Sequence, residues 1–209
     1  MYIYSAQLQA RPGKGGKAGR ALAELRDTLT DLTGQPFHAW AVAAGGPIGA
    51  FAMSTRVDSF AQVLDLQMKM AADEGYQSQA AKVGKLWATP AETNMSRVVA
   101  YSGEPSDPKP ITSVTRATIA PGQVRAAVAA GNEMLELVTA MGGAAGLLAM
   151  GAAGNFNEIN WIFGYDSGAE VDASADQILG NADYMEKSDA MAGLFLAGHS
   201  ERFLLARLP

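Results

Sequence analysis

Few residues in this sequence could carry acid–base chemistry, and the clearest pair is His38 with Trp40. The sequence contains 2 histidines and no cysteine. One residue separates His38 from Trp40 in an alternating segment, so both side chains would lie on the same face of a strand. A neutral imidazole beside an indole could accept a proton from a bound phenol or enol. The alternative is a strand-end histidine near the surface, next to a tryptophan of the ordinary core.

Asn160 is a second catalytic candidate, because it would share a strand face with Glu158. A carboxylate and an amide on one face could orient a polar ligand. Glu158 follows a predicted hairpin turn, where we expect exposure to solvent, so Asn160 is the stronger candidate. The opposite face would carry Trp161, Phe163 and Tyr165. This aromatic stripe forms either core or, at Trp161, the wall of a substrate pocket.

Four more side chains could contact a substrate: Tyr76, Tyr184, Trp87 and Arg56. Each tyrosine would place its hydroxyl either on a backbone group or at the mouth of a pocket. Trp87 is expected to plug the space between helix and sheet. Arg56 could pair with an anionic ligand, although a single arginine near a strand end is usually solvated. The same expectation applies to three other arginines: Arg97, Arg116 and Arg202.

The elements that would position these residues are encoded twice in the chain. A shift of 109 residues, which becomes 108 after one residue is lost in the second half, aligns turn glycines, a helix-entry pair and an aromatic residue. The aligned residues include Pro12-Gly13 with Pro121-Gly122, Gly34 with Gly143, Gly46 with Gly154, Asp58-Ser59 with Asp166-Ser167, and Tyr76 with Tyr184. The conserved order of these features predicts an internal duplication.

Hydrophobic periodicity predicts the order β-α-β-β-α-β in each half. In the first half we expect strands over residues 2–10, 37–44, 48–56 and 95–101, and helices over 17–32, from Asp58-Ser59 to about 72, and over 76–87. In the second half we expect strands over 111–119, 145–152, 156–165 and 202–208, and helices over 123–141 and 168–180, with an extension over 184–196. Three prolines predict a linker at 102–110, between domains at 1–101 and 111–209.

Several predicted strands, such as residues 159–163 and 203–206, are apolar at nearly every position, which indicates burial on both faces. The face without helices would be covered by the matching sheet of the other half. This pattern resembles the dimeric α/β-barrel superfamily, in which two ferredoxin-like units close their sheets against each other. The resemblance implies an α+β fold: two ferredoxin-like βαββαβ repeats whose antiparallel sheets pack face to face into an α/β barrel.

The resemblance also implies a pocket between sheet and helices. Antibiotic-biosynthesis monooxygenases, haem-degrading monooxygenases, chlorite-dismutase-like proteins and stress-responsive barrel proteins of the superfamily use such a pocket. One implied function is monooxygenase-type, cofactor-independent oxidation of an aromatic or polyketide-like substrate, whose own enolate supplies electrons to oxygen. The alternative is a non-catalytic protein that binds a hydrophobic ligand or acts in stress response or assembly, because the fold alone implies no activity.

Composition narrows the cofactors and partners. A net charge of −5 with scattered basic residues disfavours nucleic acid as a partner. The lack of cysteine and the presence of only 2 histidines exclude thiolate and multi-imidazole metal sites. A single axial haem ligand at His199 is conceivable, but haem-binding members of the superfamily present that ligand from a helix in a basic pocket. We therefore expect neither a metal nor another cofactor.

The remaining expectations concern location and assembly. The first residues run straight into a strand-like pattern with neither the basic nor the apolar region of a signal peptide. The longest apolar stretch is about a dozen residues, too short to span a bilayer. We expect a cytoplasmic monomer or homodimer whose partner is a hydrophobic or aromatic small molecule.

Overall fold

The computed structural model describes residues 1–103, 107–141 and 145–209. Gly143, which the sequence aligns with Gly34, and residues 104–106 of the predicted linker lie outside the described residues. Spatial contacts divide the chain into two compact units. Unit 1 comprises Met1–Ser96 and Ala206–Pro209, and unit 2 comprises Arg97–Leu205. The domain boundaries that the sequence suggests at residues 101 and 111 stay a prediction.

Unit 1 contains the elements of the first half of the sequence. In chain order they are β1 (Tyr2–Gln9), α1 (Gly15–Thr33), β2 (Phe37–Ala44), β3 (Ala50–Val57), α2 (Phe60–Ala72), α3 (Glu74–Gly84) and β4 (Glu92–Ser102), whose residues divide between the units. The order β-α-β-β-α-β is the one that periodicity predicts, and the further helix expected over residues 76–87 is present as α3.

Unit 2 repeats this order. Its elements are β5 (Ile111–Ile119), α4 (Val124–Ala140), β6 (Gly146–Ala153), β7 (Glu158–Tyr165), α5 (Gly168–Gly180), α6 (Ala182–Ala190), a 3-10 helix (Ala192–Leu194) and β8 (Phe195–Arg207), whose last two residues belong to unit 1. Among the residues that the structure describes, no helix is both long and apolar enough to cross a membrane.

Strand pairing has the same register in the two units. Four antiparallel Cα pairs define it: Tyr2 with Val57 and Phe37 with Thr55 in unit 1, and Ile111 with Tyr165 and Gly146 with Phe163 in unit 2. Each residue of a unit 2 pair follows its unit 1 counterpart by one of the two offsets seen in the sequence. Positions in the two units can therefore be compared by register.

Hydrogen bonding orders the strands as a closed antiparallel barrel, β1-β3-β2-β8-β5-β7-β6-β4. With the helices, this gives an α+β fold with ferredoxin-like connectivity. The fold class that the sequence predicts is confirmed.

Local capping explains why the second helix of each unit begins where it does. Ser59 accepts a hydrogen bond from the backbone N–H of Gln62 at 3.2 Å, and Ser167 accepts one from Glu170 at 3.3 Å. Each serine satisfies a backbone donor that lacks an intrahelical partner. Of the two candidates Asp58 and Ser59, the serine is the cap.

The last strand differs most from the sequence prediction. We expected helix to residue 196 and a strand only from 202, with His199 in the connection. Instead, α6 ends at Ala190 and β8 begins at Phe195, so His199 is a strand residue. This part of β8 is exposed and carries polar residues in place of an apolar alternation, and Gly198 has a φ of +74°. The signals that indicate a half-buried strand are therefore missing here.

Candidate functional site

Unit 2 contains a cavity of about 370 Å³ between its sheet and its helices. This volume lies within the ~300–1,000 Å³ typical of small-molecule sites. Strands β5 and β7 line one side, and α4, α5, α6 and the first part of β8 line the others. The cavity lies in unit 2 where the resemblance implies a pocket.

Most of the cavity wall is apolar and partly aromatic. Its apolar side chains include Met134, Val138, Trp161, Phe163, Ile178 and Phe195. The Trp161 and Phe195 rings meet edge to face, with centroids 5.8 Å apart. Such a wall favours a flat, hydrophobic ligand.

Trp161 is fixed in place by its only polar atom. The indole Nε1 donates a hydrogen bond to the backbone oxygen of Gly131 at 2.9 Å, and the side chain is 7% exposed. A Cβ at Gly131 would lie 3.3 Å from the indole and 3.2 Å from Ile159. The lack of a side chain at Gly131 therefore makes room for Trp161 against α4.

The opposite end of the cavity wall is polar and positively charged. Arg202 on β8 donates from Nε to the hydroxyl of Ser113 at 3.0 Å. Ser113 is 2% exposed, whereas the arginine side chain is exposed. Among the residues that the structure describes, none accepts a hydrogen bond from the Nη atoms of Arg202. The guanidinium therefore keeps donors for a ligand oxygen.

Tyr184 lines the same cavity and is half-buried. Burial raises the pKa of Tyr184 above its ordinary value, and the positive charge of Arg202 lowers it by a smaller amount. The hydroxyl is therefore protonated at neutral pH and can donate a hydrogen bond. The backbone N–H of Tyr184 donates to Asn181 Oδ1 at 2.8 Å, which fixes the first turn of α6.

Tyr76 is the counterpart of Tyr184 in unit 1. Its backbone N–H donates to Asp73 Oδ1 at 2.6 Å, at the start of α3. Its half-buried side chain packs against the core of unit 1, where burial, and to a smaller extent Tyr4, raise the pKa of its hydroxyl. The two halves therefore share the capping arrangement at this helix start, which uses the backbone of each tyrosine and not its side chain.

The described residues that line the cavity include no histidine, aspartate or glutamate. Tyr165 uses its hydroxyl in a 3.2 Å hydrogen bond with Ser174, and both residues are buried. The arrangement can therefore bind an aromatic group and stabilise a negative charge. It offers no strong base to remove a proton.

His38 and Trp40 lie on the other face of their sheet. Phe37 and Ala39, their neighbours on β2, pack in the core against α1, so alternation turns His38 and Trp40 away from the helices. Trp40 Nε1 donates to Ser54 Oγ at 2.9 Å, and its ring centroid is 6.3 Å from that of His38. Their catalytic and substrate-binding roles stay a prediction.

Asn160 also faces away from the helices of its unit. Its Nδ2 donates to Glu158 Oε1 at 3.0 Å, and Arg116 Nε lies 3.3 Å from Glu158 Oε2 without the alignment of a hydrogen bond. The Arg116 guanidinium also lies 5.1 Å from the centre of the Phe203 ring. The catalytic role of Asn160 stays a prediction.

Two expectations about this cluster were wrong. Glu158 was expected to be solvated beside its turn, but its side chain is only 14% exposed and is paired with Arg116. Arg116 is itself half-buried. Two opposite charges close together on adjacent strands stabilise each other, which explains their partial burial.

Trp87 and Arg56 are both in unit 1. Trp87 is buried, its ring meets that of Phe51 at 5.8 Å, and its backbone oxygen accepts a hydrogen bond from Arg11 Nε at 2.9 Å. Arg56 is half-buried on β3, and its backbone oxygen accepts a bond from Gln35 at 2.7 Å. Their roles in substrate binding stay predictions.

Of the predicted site residues, Trp161 and Tyr184 line the same cavity in unit 2. Sequence reasoning missed Ser113. It expected Arg202 to be solvated, which agrees with the exposure of this side chain, but it did not place Arg202 in the cavity wall. A comparison of the halves could have found both, because the first half has Tyr4 in place of Ser113 and Asn94 in place of Arg202.

The sequence matches no protein-family profile and no curated protein. Solved structures resemble the chain over its whole length. One is a protein of Fusobacterium nucleatum whose name proposes a monooxygenase, with 9% identity, a TM-score of 0.73, and 100% of this chain and 92% of that chain covered. Another is an anthrone oxidase-like protein, with 13% identity, a TM-score of 0.68, and coverage of 98% and 91%.

A third similar structure is a heme-degrading enzyme from Listeria monocytogenes, with 9% identity, a TM-score of 0.55, and 99% of each chain covered. The chain has the fold of these proteins. Their sequences are too distant for their activities to be transferred, and the three names describe different activities. The function of this chain must therefore be argued from its own cavity.

We expect Gly131→Ala to be less stable than Gly180→Ala by about 1–3 kcal/mol, because the new methyl group at Gly131 crowds Trp161 and Ile159, which opposes the gain in helix propensity. Urea unfolding measures the change, and tryptophan fluorescence reports any displacement of Trp161. The control is Gly180→Ala, where a Cβ has no atom within 4 Å. Equal stability of the two variants would contradict the close packing at Gly131.

We expect Arg202→Gln to raise the pKa of Tyr184 further, because it removes the positive charge that lowers this pKa. The tyrosinate absorbance of Tyr184 would then appear at higher pH than in the unsubstituted protein. Difference titrations against matched Tyr184→Phe variants isolate this one hydroxyl. An unchanged or lower pKa would contradict the proximity of the two side chains.

Proposed function

We propose that this chain is a small-molecule enzyme of the monooxygenase type that oxidises an aromatic or polyketide-like substrate without a cofactor. The observation that carries the proposal is the cavity in unit 2, with an aromatic wall and the free donors of Arg202 beside Tyr184. Similarity to a protein named anthrone oxidase-like supports the same substrate class at the level of fold.

The proposed chemistry begins with the anion of the substrate. The guanidinium of Arg202 stabilises a phenolate or enolate oxygen, and the hydroxyl of Tyr184 donates a second hydrogen bond to it. The electron-rich carbon of this anion then passes electrons to oxygen. For anthrone, a tricyclic ketone with an acidic enol form, one molecule of oxygen gives anthraquinone and one molecule of water.

The substrate must be acidic, because the described lining residues include no histidine or carboxylate. A proton that leaves the substrate near neutral pH passes to water, and the positive charge of Arg202 favours its loss. His38 and Asn160 remain proposed participants outside this cavity. Variants of these residues therefore belong in the same assay.

We infer that the two units arose by tandem duplication. The shared register of β1 with β3 and of β5 with β7, at the offsets found in the sequence, supports this inference. After a duplication, one unit can acquire a binding site while the other unit keeps its packed core. The aromatic cavity with its arginine in unit 2 is consistent with such specialisation.

Two further proposals rest on sequence alone. The proposed location is the cytoplasm, and the proposed assembly is a monomer or a homodimer. The partner of the cavity would be a hydrophobic or aromatic small molecule.

A non-catalytic ligand-binding or stress-response protein is the second candidate. The observation that favours it is the lack of a strong base among the described residues that line the cavity. A binding protein needs the aromatic wall and the positive charge but no proton acceptor. Binding of the same ligands without oxygen consumption would favour this candidate.

We expect the purified protein to consume oxygen when anthrone is added, and Arg202→Gln to lower kcat/KM by about tenfold or more, because a charge-assisted hydrogen bond contributes roughly 1.5–3 kcal/mol. An oxygen electrode measures uptake, and chromatography measures anthraquinone. Arg125→Gln is the matched control, since Arg125 is an exposed arginine on α4.

Loss of turnover in His38→Ala or Asn160→Ala, with full activity in Arg202→Gln and Tyr184→Phe, would show that the reaction takes place outside the unit 2 cavity. No turnover of anthrone or related enols by the unsubstituted protein would contradict the proposed oxidation.

A further inference from the structure

A serine in the wall of the unit 2 cavity corresponds, by strand register, to a tyrosine in unit 1. Tyr4 lies opposite Thr55 in unit 1, and Ser113 lies opposite Phe163 in unit 2. By register, Ser113 therefore takes the place of Tyr4. Tyr4 packs against the core of unit 1, whereas Ser113 lines an open cavity.

The neighbouring tyrosine is kept in both units. Tyr4 interacts electrostatically with Tyr76, and this interaction contributes to the raised pKa of Tyr76. In unit 2 the counterpart of Tyr76 is Tyr184, which lines the cavity together with Ser113. One tyrosine of the pair is thus retained in unit 2, and the smaller side chain of Ser113 takes the place of the other.

Unit 2 also carries a positively charged residue, Arg202, beside the serine that replaces Tyr4. The shift of 108 residues aligns Arg202 with Asn94 of the first half, whose side chain is an uncharged amide. Arg202 Nε bonds to Ser113 Oγ, the group that stands where the Tyr4 ring begins in unit 1. Arg202 therefore lines the cavity at Ser113, and its charge also acts on Tyr184.

We propose that the unit 2 cavity binds a hydroxylated aromatic ring as its phenolate, with the ring where unit 1 has the Tyr4 side chain and the oxygen at Arg202 and Tyr184. This proposal deepens the proposed function, on which it rests for the location of the site, but it requires no turnover. The phenol loses its proton to solvent on binding, because the cationic guanidinium favours the anion.

The two ends of the cavity together define this ligand class. An aliphatic carboxylate would satisfy Arg202 but would leave the edge-to-face rings of Trp161 and Phe195 uncovered. An uncharged hydrocarbon would cover the rings but would form no hydrogen bond or ion pair with the guanidinium. A phenolate satisfies both requirements.

The test uses 4-nitrophenol, whose neutral and ionised forms absorb at different wavelengths. Titration with the unsubstituted protein, slightly below the pKa of the free phenol, should increase the phenolate band as the probe binds. Arg202→Gln should weaken binding about tenfold or more and abolish the increase. Arg125→Gln should behave like the unsubstituted protein, and acetate should not compete.

A second variant tests the location of the ring. Ser113→Tyr restores the residue that unit 1 carries, so its side chain should occupy the cavity and abolish binding. Ser113→Ala keeps the cavity open but loses the hydrogen bond to Arg202, so it should bind 4-nitrophenol more weakly than the unsubstituted protein and more tightly than Ser113→Tyr. Urea unfolding of both variants separates a blocked site from a misfolded protein, and the Arg202 variants decide the proposal if Ser113→Tyr does not fold.

Unchanged binding in Arg202→Gln, or binding by folded Ser113→Tyr equal to that of the unsubstituted protein, would overturn the proposal. Its failure is distinct from failure of the oxidation. If the protein binds the phenolate but consumes no oxygen when anthrone is added, the binding site is supported and the oxidation is contradicted. If it oxidises anthrone and neither Arg202→Gln nor Ser113→Tyr changes the rate, the oxidation is supported and this binding site is contradicted.

Discussion

The hydrogen bond from Arg202 to Ser113 is the interaction on which the candidate site depends. It holds a cation at the polar end of a cavity whose other walls are largely apolar. Because the arginine side chain is exposed, solvent weakens its attraction for an anion, and the hydrogen bond to Ser113 contributes by fixing the position of the charge. Tyr184 contributes a neutral donor, and the indole of Trp161, fixed by Gly131, contributes a flat wall. We propose that together these groups select a ligand with one charged oxygen and an aromatic body.

Much of the fold could be predicted because its elements carry local signals. The predicted bounds of β5 and α5 match the structure, and the serine at the start of α2 is the cap that its position indicates. Strand β8 was predicted seven residues too short at its start, because its exposed first part lacks alternation. The sequence pattern therefore predicts an element correctly where burial of one face makes hydrophobic residues recur at regular spacing, and it misses a strand that is exposed.

The site was harder to predict than the fold. Tyr184 and Trp161 were found because aromatic residues at repeated or alternating positions are conspicuous. Arg202 was expected to be solvated, and it is exposed, but one sequence does not show that it lies beside Ser113 in the cavity wall. Glu158 was wrongly expected in solvent because its ion pair is made across two strands. Chemistry that depends on contacts between distant segments cannot be inferred from spacing along the chain.

The fold is shared with proteins of different named activities, so the cavity must decide the function. A crystal structure of the protein with 4-bromophenol tests the central claim most directly, because bromine is located by its anomalous scattering. The account requires a bromine peak inside the unit 2 cavity, with the phenol oxygen within hydrogen-bonding distance of Arg202 and Tyr184. Bromine bound elsewhere, with this cavity free of the phenol, would contradict it.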